Sequence, residues 1–186
     1  MSATAAKLLT AEEFSRRPEP LDGSREELVR GKVVTMPAPG FRHGQVTVQI
    51  ASILKSYVTG KRIGHVLAET GVRTERQPDT VRGPDVSFWS YKRVPKSAKI
   101  VGYPEVAADL CIEIRSPSNT LRKLQRKTTE YLQAGVRMVW IVDPKEESVT
   151  VYRLPDQGVK RSGDQVIDGE DVLPGFSCPA SRFFED

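Results

Sequence analysis

Apolar residues in this chain recur with two different periods, and the switches between them mark out the elements. Thr10-Ala-Glu-Glu-Phe14 has the S/T-x-x-E form of a capping box, so a short helix is expected from Thr10, ending before Pro18. Residues 26–36, E-E-L-V-R-G-K-V-V-T-M, alternate as two strands around a tight turn at Arg30-Gly31. After Pro37-Ala-Pro39-Gly40, the positions Val46, Ile50, Ile53, Leu54 and Tyr57 repeat at helical spacing and stop at Gly60, which predicts a long amphipathic helix. Strands are expected at Gly64–Thr70, Val86–Trp89 and Leu110–Ile114, with a basic, proline-broken connection before the last. Ser118 or Asn119 can cap a further helix whose Leu121, Leu124, Tyr131 and Leu132 face inward and whose C-terminal cap is Gly135. Met138–Val142 is continuously apolar, as in a strand buried on both faces. Strands at Ser148–Leu154 and around Val159–Val166 then lead to a Phe183-Phe184 anchor.

This order predicts a mixed α/β fold in which helices flank a central mixed sheet and an N-terminal β-hairpin precedes them. The length of 186 residues and the 38% hydrophobic content suit one domain spanning 1–186 with a core that needs no disulfides. Cys111 and Cys178 are far apart and form no C-x-x-C pair, so both read as ordinary thiols of a reducing compartment. No run approaches the ~20 apolar residues of a membrane span, and Met1–Leu9 lacks a secretory core, so a cytoplasmic protein is expected.

The net charge of +4 permits a nucleic-acid partner, and its distribution sharpens the point. Arg115, Arg122, Lys123, Arg126 and Lys127 fall in one stretch without an acid, as do Lys92, Arg93, Lys96 and Lys99 in another. Such stretches can neutralise phosphates, although a solvated helix face and a solvated loop have the same composition.

The candidate chemistry starts at Gly83-Pro84-Asp85. Strand alternation puts Val86 and Phe88 on one face and Asp85 and Ser87 on the other; in the next strand Leu110, Ile112 and Ile114 take the core face, and Glu113 and Arg115 the opposite one. If the two strands are neighbours, the carboxylates of Asp85 and Glu113 converge on one hard cation, Mg2+ or Mn2+. Phosphodiester cleavage needs such an ion, and a lysine beside it orients the attacking water or stabilises charge. Lys127, two turns into the expected helix on the stripe of Lys123 and Tyr131, is the candidate.

The segments E-E-L-V-R-G-K-V-V, P-A-P-G-F-R-H, G-P-D-V-S, C-I-E-I-R-S-P-S, K-T-T-E-Y-L-Q-A-G-V, V-W-I-V-D-P and L-P-G-F together resemble the Uma-two-type putative restriction endonuclease family of the PD-(D/E)XK nuclease superfamily, in the family's order from about Thr10 to Phe184. The resemblance implies a restriction-endonuclease-like core, a divalent metal, and a catalytic set matching Glu27, His43, Asp85, Glu113 and Lys127. Asp85 and Glu113 would be the metal ligands, Glu27 an acid near the metal or its waters, Lys127 the basic partner, and His43 a residue at the mouth of the long helix. The chain departs from the pattern twice. Arg30-Gly31 stands where the family prefers Asp-Gly. Arg115 fills the lysine slot of the superfamily motif, so either it contacts phosphate or the lysine role belongs to Lys127, the reading favoured here.

Each residue has a plainer explanation. Glu27 could be a solvated strand residue, His43 a hydrogen-bonding side chain within the fold, Glu113 a paired buried acid and Lys127 an exposed helix lysine. His65 matches no motif. The chain has no G-x-S-x-G turn, P-loop or dinucleotide fingerprint, and a zinc site from the two cysteines and two histidines lacks ligand spacing. The expected activity is metal-dependent endonucleolytic hydrolysis of DNA, with Lys92, Arg93, Lys96, Lys99, Arg115, Arg122, Lys123 and Arg126 contacting nucleic acid. The alternative is a non-catalytic DNA-binding or protein-interaction module on the same fold. A homodimer with two sites would suit cutting of both strands.

Overall fold

Residues 7–117 and 119–185 are described in the structure, a computed structural model. The elements follow in the order α1 (Ala11–Ser15), β1 (Arg25–Val29), β2 (Lys32–Met36), α2 (Phe41–Lys61), β3 (Gly64–Ala68), β4 (Val72–Glu75), β5 (Thr80–Arg82), β6 (Val86–Ser90), β7 (Leu110–Ile114), α3 (Leu121–Gln133), β8 (Met138–Asp143), β9 (Ser148–Tyr152), β10 (Gly158–Ser162), β11 (Val166–Asp168), β12 (Ser177–Pro179) and a 3-10 turn at Ala180–Phe183. The expected capping box is formed: the Thr10 hydroxyl accepts from the Glu13 amide at 3.1 Å while the Glu13 carboxylate accepts from the Thr10 amide at 2.9 Å.

A central sheet runs β10-β9-β8-β7-β6-β3, and only its β7–β8 pair is parallel, joined through α3 as a βαβ crossover. The mixed sheet expected from the element order is therefore present. A second sheet, β2-β1-β5-β4, is built on the N-terminal hairpin. Its turn residues Arg30 (φ 50°) and Gly31 (φ 76°) are both left-handed, the combination that lets a two-residue turn match the twist of its strands. The sequence reading left 71–84 without strands; β4 and β5 are short, and β5 earns its place by pairing with β1 and β4 rather than by any apolar alternation.

Helices cover both faces of the central sheet. Val46, Ile50, Leu54 and Val58 of α2 pack with Val86, Phe88, Leu110, Ile112, Ile114 and Trp140. Leu124 and Tyr131 of α3 pack on the other face with Trp89, Cys111, Val139 and Ile141. The side of β6 and β7 that carries Ser87, Cys111 and Glu113, read from sequence as the non-core side, is thus a second buried layer. The helix cap also differs from expectation. Thr120, not Asn119, is the N-cap of α3, its hydroxyl accepting from the Lys123 amide; Ser118 and most of Met1–Leu9 lie outside the described residues. Leu121, in the first turn, faces solvent rather than the core. Gly135 terminates the helix as expected, at φ 94°. Among the described residues no helix is long and apolar enough to cross a membrane.

The C-terminal segment closes the α2 side. Trp140 stacks on Phe183 with ring centroids 5.8 Å apart and leans on Phe176 at 6.0 Å. Replacing Phe183 by alanine empties a fully buried site, and is expected to cost about 3–5 kcal/mol in urea unfolding. A loss below about 1 kcal/mol would show that this segment lies outside the cooperative core.

Candidate active site

Strands β1, β5 and β7, the loop before β6, and helices α2 and α3 deliver ionisable side chains to one buried point between the hairpin sheet and the central sheet, with His43 coming from α2 and Arg82 from β5. Strand β1 supplies Arg25 and Glu27, two residues apart and so on one face. The loop leaving β5 turns at Gly83-Pro84 and places Asp85 just before β6. Strand β7 supplies Glu113, and α3 supplies Lys127, Glu130 and Tyr131 from adjacent turns.

Asp85 is buried, and both of its oxygens are engaged: Oδ2 accepts from the Ile114 amide at 2.6 Å, and Oδ1 from Arg25 Nη1 at 2.7 Å. His43 Nε2 stands 3.3 Å from the same Oδ1, within ion-pair distance but without hydrogen-bond geometry. Burial pushes the Asp85 carboxyl up, but His43, the Ile114 amide and Arg25 outweigh it and hold the group below its usual range.

Glu113 accepts from Lys127 Nζ on both oxygens at 3.1 Å and from the Tyr131 hydroxyl on Oε1 at 2.7 Å. The same ammonium reaches Glu27 Oε1 at 2.8 Å, so one cation serves two carboxylates. Glu27 is further held by Arg82 Nη1 at 2.8 Å and by the Gly83 amide at 3.1 Å. Arg82 is in turn clamped by both oxygens of Glu130, at 2.7 and 3.0 Å. Burial opposes ionisation at each of these groups, and the neighbours decide the outcome. Lys127 and Arg82 bring Glu27 below its usual range, while Glu113 and Glu27 raise Lys127 and keep it charged. Glu113 is left least favoured as an anion: burial, with Asp85 and Glu27 added against the pull of Lys127, carries it up to about 7. Cys111, fully buried beneath Glu113, has its thiol pushed well up and stays protonated.

The geometry therefore brings Glu27, His43, Asp85, Glu113 and Lys127 together, and adds Arg25, Arg82, Glu130 and Tyr131, which sequence reasoning missed. Signals for three of these were available. Arg25 shares the strand face of Glu27, and Glu130 and Tyr131 sit three and four residues beyond Lys127. Arg82 had none, because β5 was not foreseen. Lys127 is not an exposed helix lysine but a largely buried one, its side chain 12% exposed.

The expected nucleic-acid contacts divide. Arg122, Lys123 and Arg126 are exposed on the first turns of α3, at the end of the sheet where Glu113 lies; Arg126 also pairs with Glu130 at 2.9 Å. Lys92, Lys96 and Lys99 are exposed beyond the other end of β6, roughly 17 Å along the strand from Asp85. Arg93 donates to the carbonyls of Ala107, Ala108 and Gly135 and pairs with Asp109 at 3.2 Å, which ties the loop to the body. Arg115 pairs with Asp143 at 2.5 Å. His65 bonds to the Val94 carbonyl at 3.2 Å, far from this cluster in the fold. Among the described residues no three histidine, cysteine or acidic side chains form a ready-made metal cage. A cleft of about 690 Å³ opens beside the cluster, with Arg25, Glu27 and Gly83 in its wall together with Glu26 and Glu69.

The family model described as Uma2, putative restriction endonuclease, matches residues 11–181. A crystal structure of a putative nuclease belonging to DUF820 from Anabaena variabilis ATCC 29413 superposes with a TM-score of 0.80 at 25% sequence identity, over 95% of this chain and 97% of that one. None of the curated proteins matches in sequence.

The raised Glu113 carboxyl sets a pH dependence for the metal-free protein. Between the ordinary value of 4.5 and about 7 the folded state holds a proton that the unfolded state has released, so this group lowers stability as pH rises through that window. Asp85 and Glu27, whose shifts are downward, act with the opposite sign in a lower range. Urea unfolding in EDTA at pH 5 and pH 7.5 is expected to show Glu113→Gln gaining on the parent at the higher pH; equal differences at both would refute the assignment.

Proposed function

The chain belongs to the Uma2 putative restriction endonuclease family, and from that premise we propose that it hydrolyses DNA phosphodiester bonds with the help of Mg2+ or Mn2+ held by Asp85 and Glu113. In this reading residues 1–186 act as one domain. The observation that carries the proposal is the pairing of the two acids: Asp85 bonds to the amide of Ile114, the residue after Glu113, while Lys127 lies on both Glu113 oxygens.

The residues fit a hard divalent cation. The donors are carboxylate oxygens, with the imidazole Nε2 of His43 beside them, 3.3 Å from Asp85 Oδ1. Glu113 is fully buried among other acids and would be relieved by a positive neighbour. Asp85 and Glu113 would hold the ion and leave it accessible to water and to substrate. Such an ion neutralises charge developing on a phosphate and acidifies a bound water.

The chain's own groups do the rest. Lys127 is held charged, so it donates and stabilises rather than abstracting a proton. Its ammonium is fixed from two sides by Glu27 and Glu113, and Glu27 is fixed by Arg82 and the Gly83 amide, which leaves little rotational freedom. Tyr131 donates to Glu113 and orients that carboxylate. Backbone binding falls first to Arg122, Lys123 and Arg126, which share the Glu113 end of the sheet; Lys92, Lys96 and Lys99 would contact DNA farther along. These contacts position a strand without choosing its sequence.

Two expectations test this reading. Purified protein with Mn2+ nicks supercoiled plasmid, and Asp85→Ala, Glu113→Ala and Lys127→Ala each slow nicking by about a hundredfold or more. Equal inactivity of all four with DNA binding retained would favour a non-catalytic binding module. The double variant Arg122→Ala, Lys123→Ala weakens DNA binding and lowers the slope of log affinity against log salt by about one to two. Lys96→Ala with Lys99→Ala changes that slope less in the same titration.

A further inference from the structure

A cation that takes Asp85 must compete with a guanidinium, because Oδ1 already accepts from Arg25. Arg25 Nη1 lies 2.7 Å from that oxygen and, at the same time, 3.3 Å from Glu69 Oε1. The two acids differ in their surroundings. Asp85 is buried with a side chain 4% exposed, whereas Glu69 stands 53% exposed at the cleft wall. Arg25 therefore bridges the interior and the cleft, and a second partner is already within reach when the first is withdrawn.

The bridge is also incompletely satisfied. Arg25 Nε and His43 Nε2 are both buried and both lack a hydrogen-bond partner, and they belong to the two side chains that meet at Asp85 Oδ1. His43 Nε2 has the Asp85 carboxylate 3.3 Å away, whereas Arg25 Nε is a buried donor with no partner, costly as it stands and in want of an acceptor. A non-bridging phosphate oxygen is such an acceptor: anionic, compact and able to take several donors.

We infer that Arg25 is a latch on the metal position, covering Asp85 until a divalent cation takes that carboxylate, then withdrawing towards Glu69 and presenting its free donors to a phosphate oxygen of the substrate. The inference rests on the metal reading given above and adds to it an order of events. Ion entry competes with Arg25 for Asp85, so the same residue weakens metal binding and strengthens substrate binding. By linkage, whatever draws Arg25 away from Asp85, phosphate included, also favours the ion.

Calorimetric titration with Mn2+ tests this directly, on the full chain and without DNA. Arg25→Gln removes the competitor and is expected to bind Mn2+ roughly tenfold more tightly than the parent. Arg17→Gln is the control for simple loss of positive charge, since Arg17 lines the same cleft but pairs with Glu26 at 3.5 Å instead of with Asp85; it should change the affinity by less than about twofold. Arg25→Lys keeps the charge and the reach of one donor and should stay near the parent, which also covers the case in which Arg25→Gln fails to fold. At saturating Mn2+, Arg25→Gln should nick plasmid more slowly than the parent despite holding its metal better. Unchanged or weaker Mn2+ binding by Arg25→Gln, an equal gain in Arg17→Gln, or a full tenfold gain in Arg25→Lys would overturn the latch, and undiminished nicking by Arg25→Gln at saturation would overturn its phosphate-binding half. If the parent binds Mn2+ through Asp85 and Arg25→Gln does not differ, only the latch falls. If neither the parent nor any variant binds, the metal reading falls with it.

Discussion

One ammonium group ties the hairpin sheet and the central sheet to a common point. Lys127 reaches Glu27, on the hairpin sheet, at 2.8 Å, and Glu113, on the central sheet, at 3.1 Å, from a helix that packs across the latter. Removing that cation leaves two carboxylates facing each other in the interior, and losing one member of a buried ion pair typically costs about 3–5 kcal/mol. Neither sheet edge alone would fix the hairpin's orientation: β1 and β5 share a single paired register position, Leu28 with Val81. The charged contact adds to the small core of Ala11, Phe14, Leu28 and Val81, to the turn bonds from the Gly31 amide to the Asp79 carbonyl and from the Arg30 amide to Thr80 Oγ1, and to the Arg25–Asp85 pair.

The same arrangement explains why the acids cannot all be alike. Asp85 and Glu27 have cations and backbone amides directed at them and remain ionised, while Glu113 shares its cation and is carried towards neutrality. Environments that push neighbouring carboxyls apart are what assign them different tasks. Arg82 matters here without touching Glu113: clamped by Glu130 on two nitrogens, it neutralises Glu27 from one side only, so Lys127 is shared between Glu27 and Glu113. Replacing such a network with apolar residues would not be expected to destabilise the fold, and its retention in the interior accords with a chemical use for the charges.

Much of this was legible in the residues, and the boundary of what was legible has a physical cause. The capping box at Thr10, the long helix stopping near Gly60 and the apolar run at Met138–Val142 are local patterns, set by neighbours in sequence, and the elements form where they say. Strand alternation also brought Asp85 and Glu113 to one site, because adjacent strands inherit each other's faces. What escaped was non-local. Thr80–Arg82 is too short and too polar to announce a strand, and its place depends on pairing with β1 and β4. The face of Glu113 reads from sequence as the non-core side, since nothing near it says that α3 will pack a second apolar layer over it; for the same reason the depth at which Lys127 is buried is not legible from its neighbours. Composition grouped Lys92, Arg93, Lys96 and Lys99 with the site, whereas strand direction separates them from it and Arg93 is spent on loop carbonyls.

Strand direction has one more consequence. Because β7 and β8 are parallel and joined through α3, the ends of both strands and the start of the helix lie at one edge of the sheet. Ligands of α/β sheets gather at that edge for a simple reason: the strand ends deliver side chains while the connecting segments leave a crevice. Here the crevice is roofed by a hairpin that carries its own charges, Arg25 and Glu27, rather than by an inert loop. If Glu113 and Asp85 are the reacting site, as proposed, a substrate reaching them would meet the hairpin's guanidinium as well as the helix's exposed cations. The cleft wall beside it bears Glu26 and Glu69, which repel a phosphate chain. On the proposed function, a nucleic-acid backbone would run along the face of Arg122 and Lys123, with only its reacting phosphate turning inward to the buried charges.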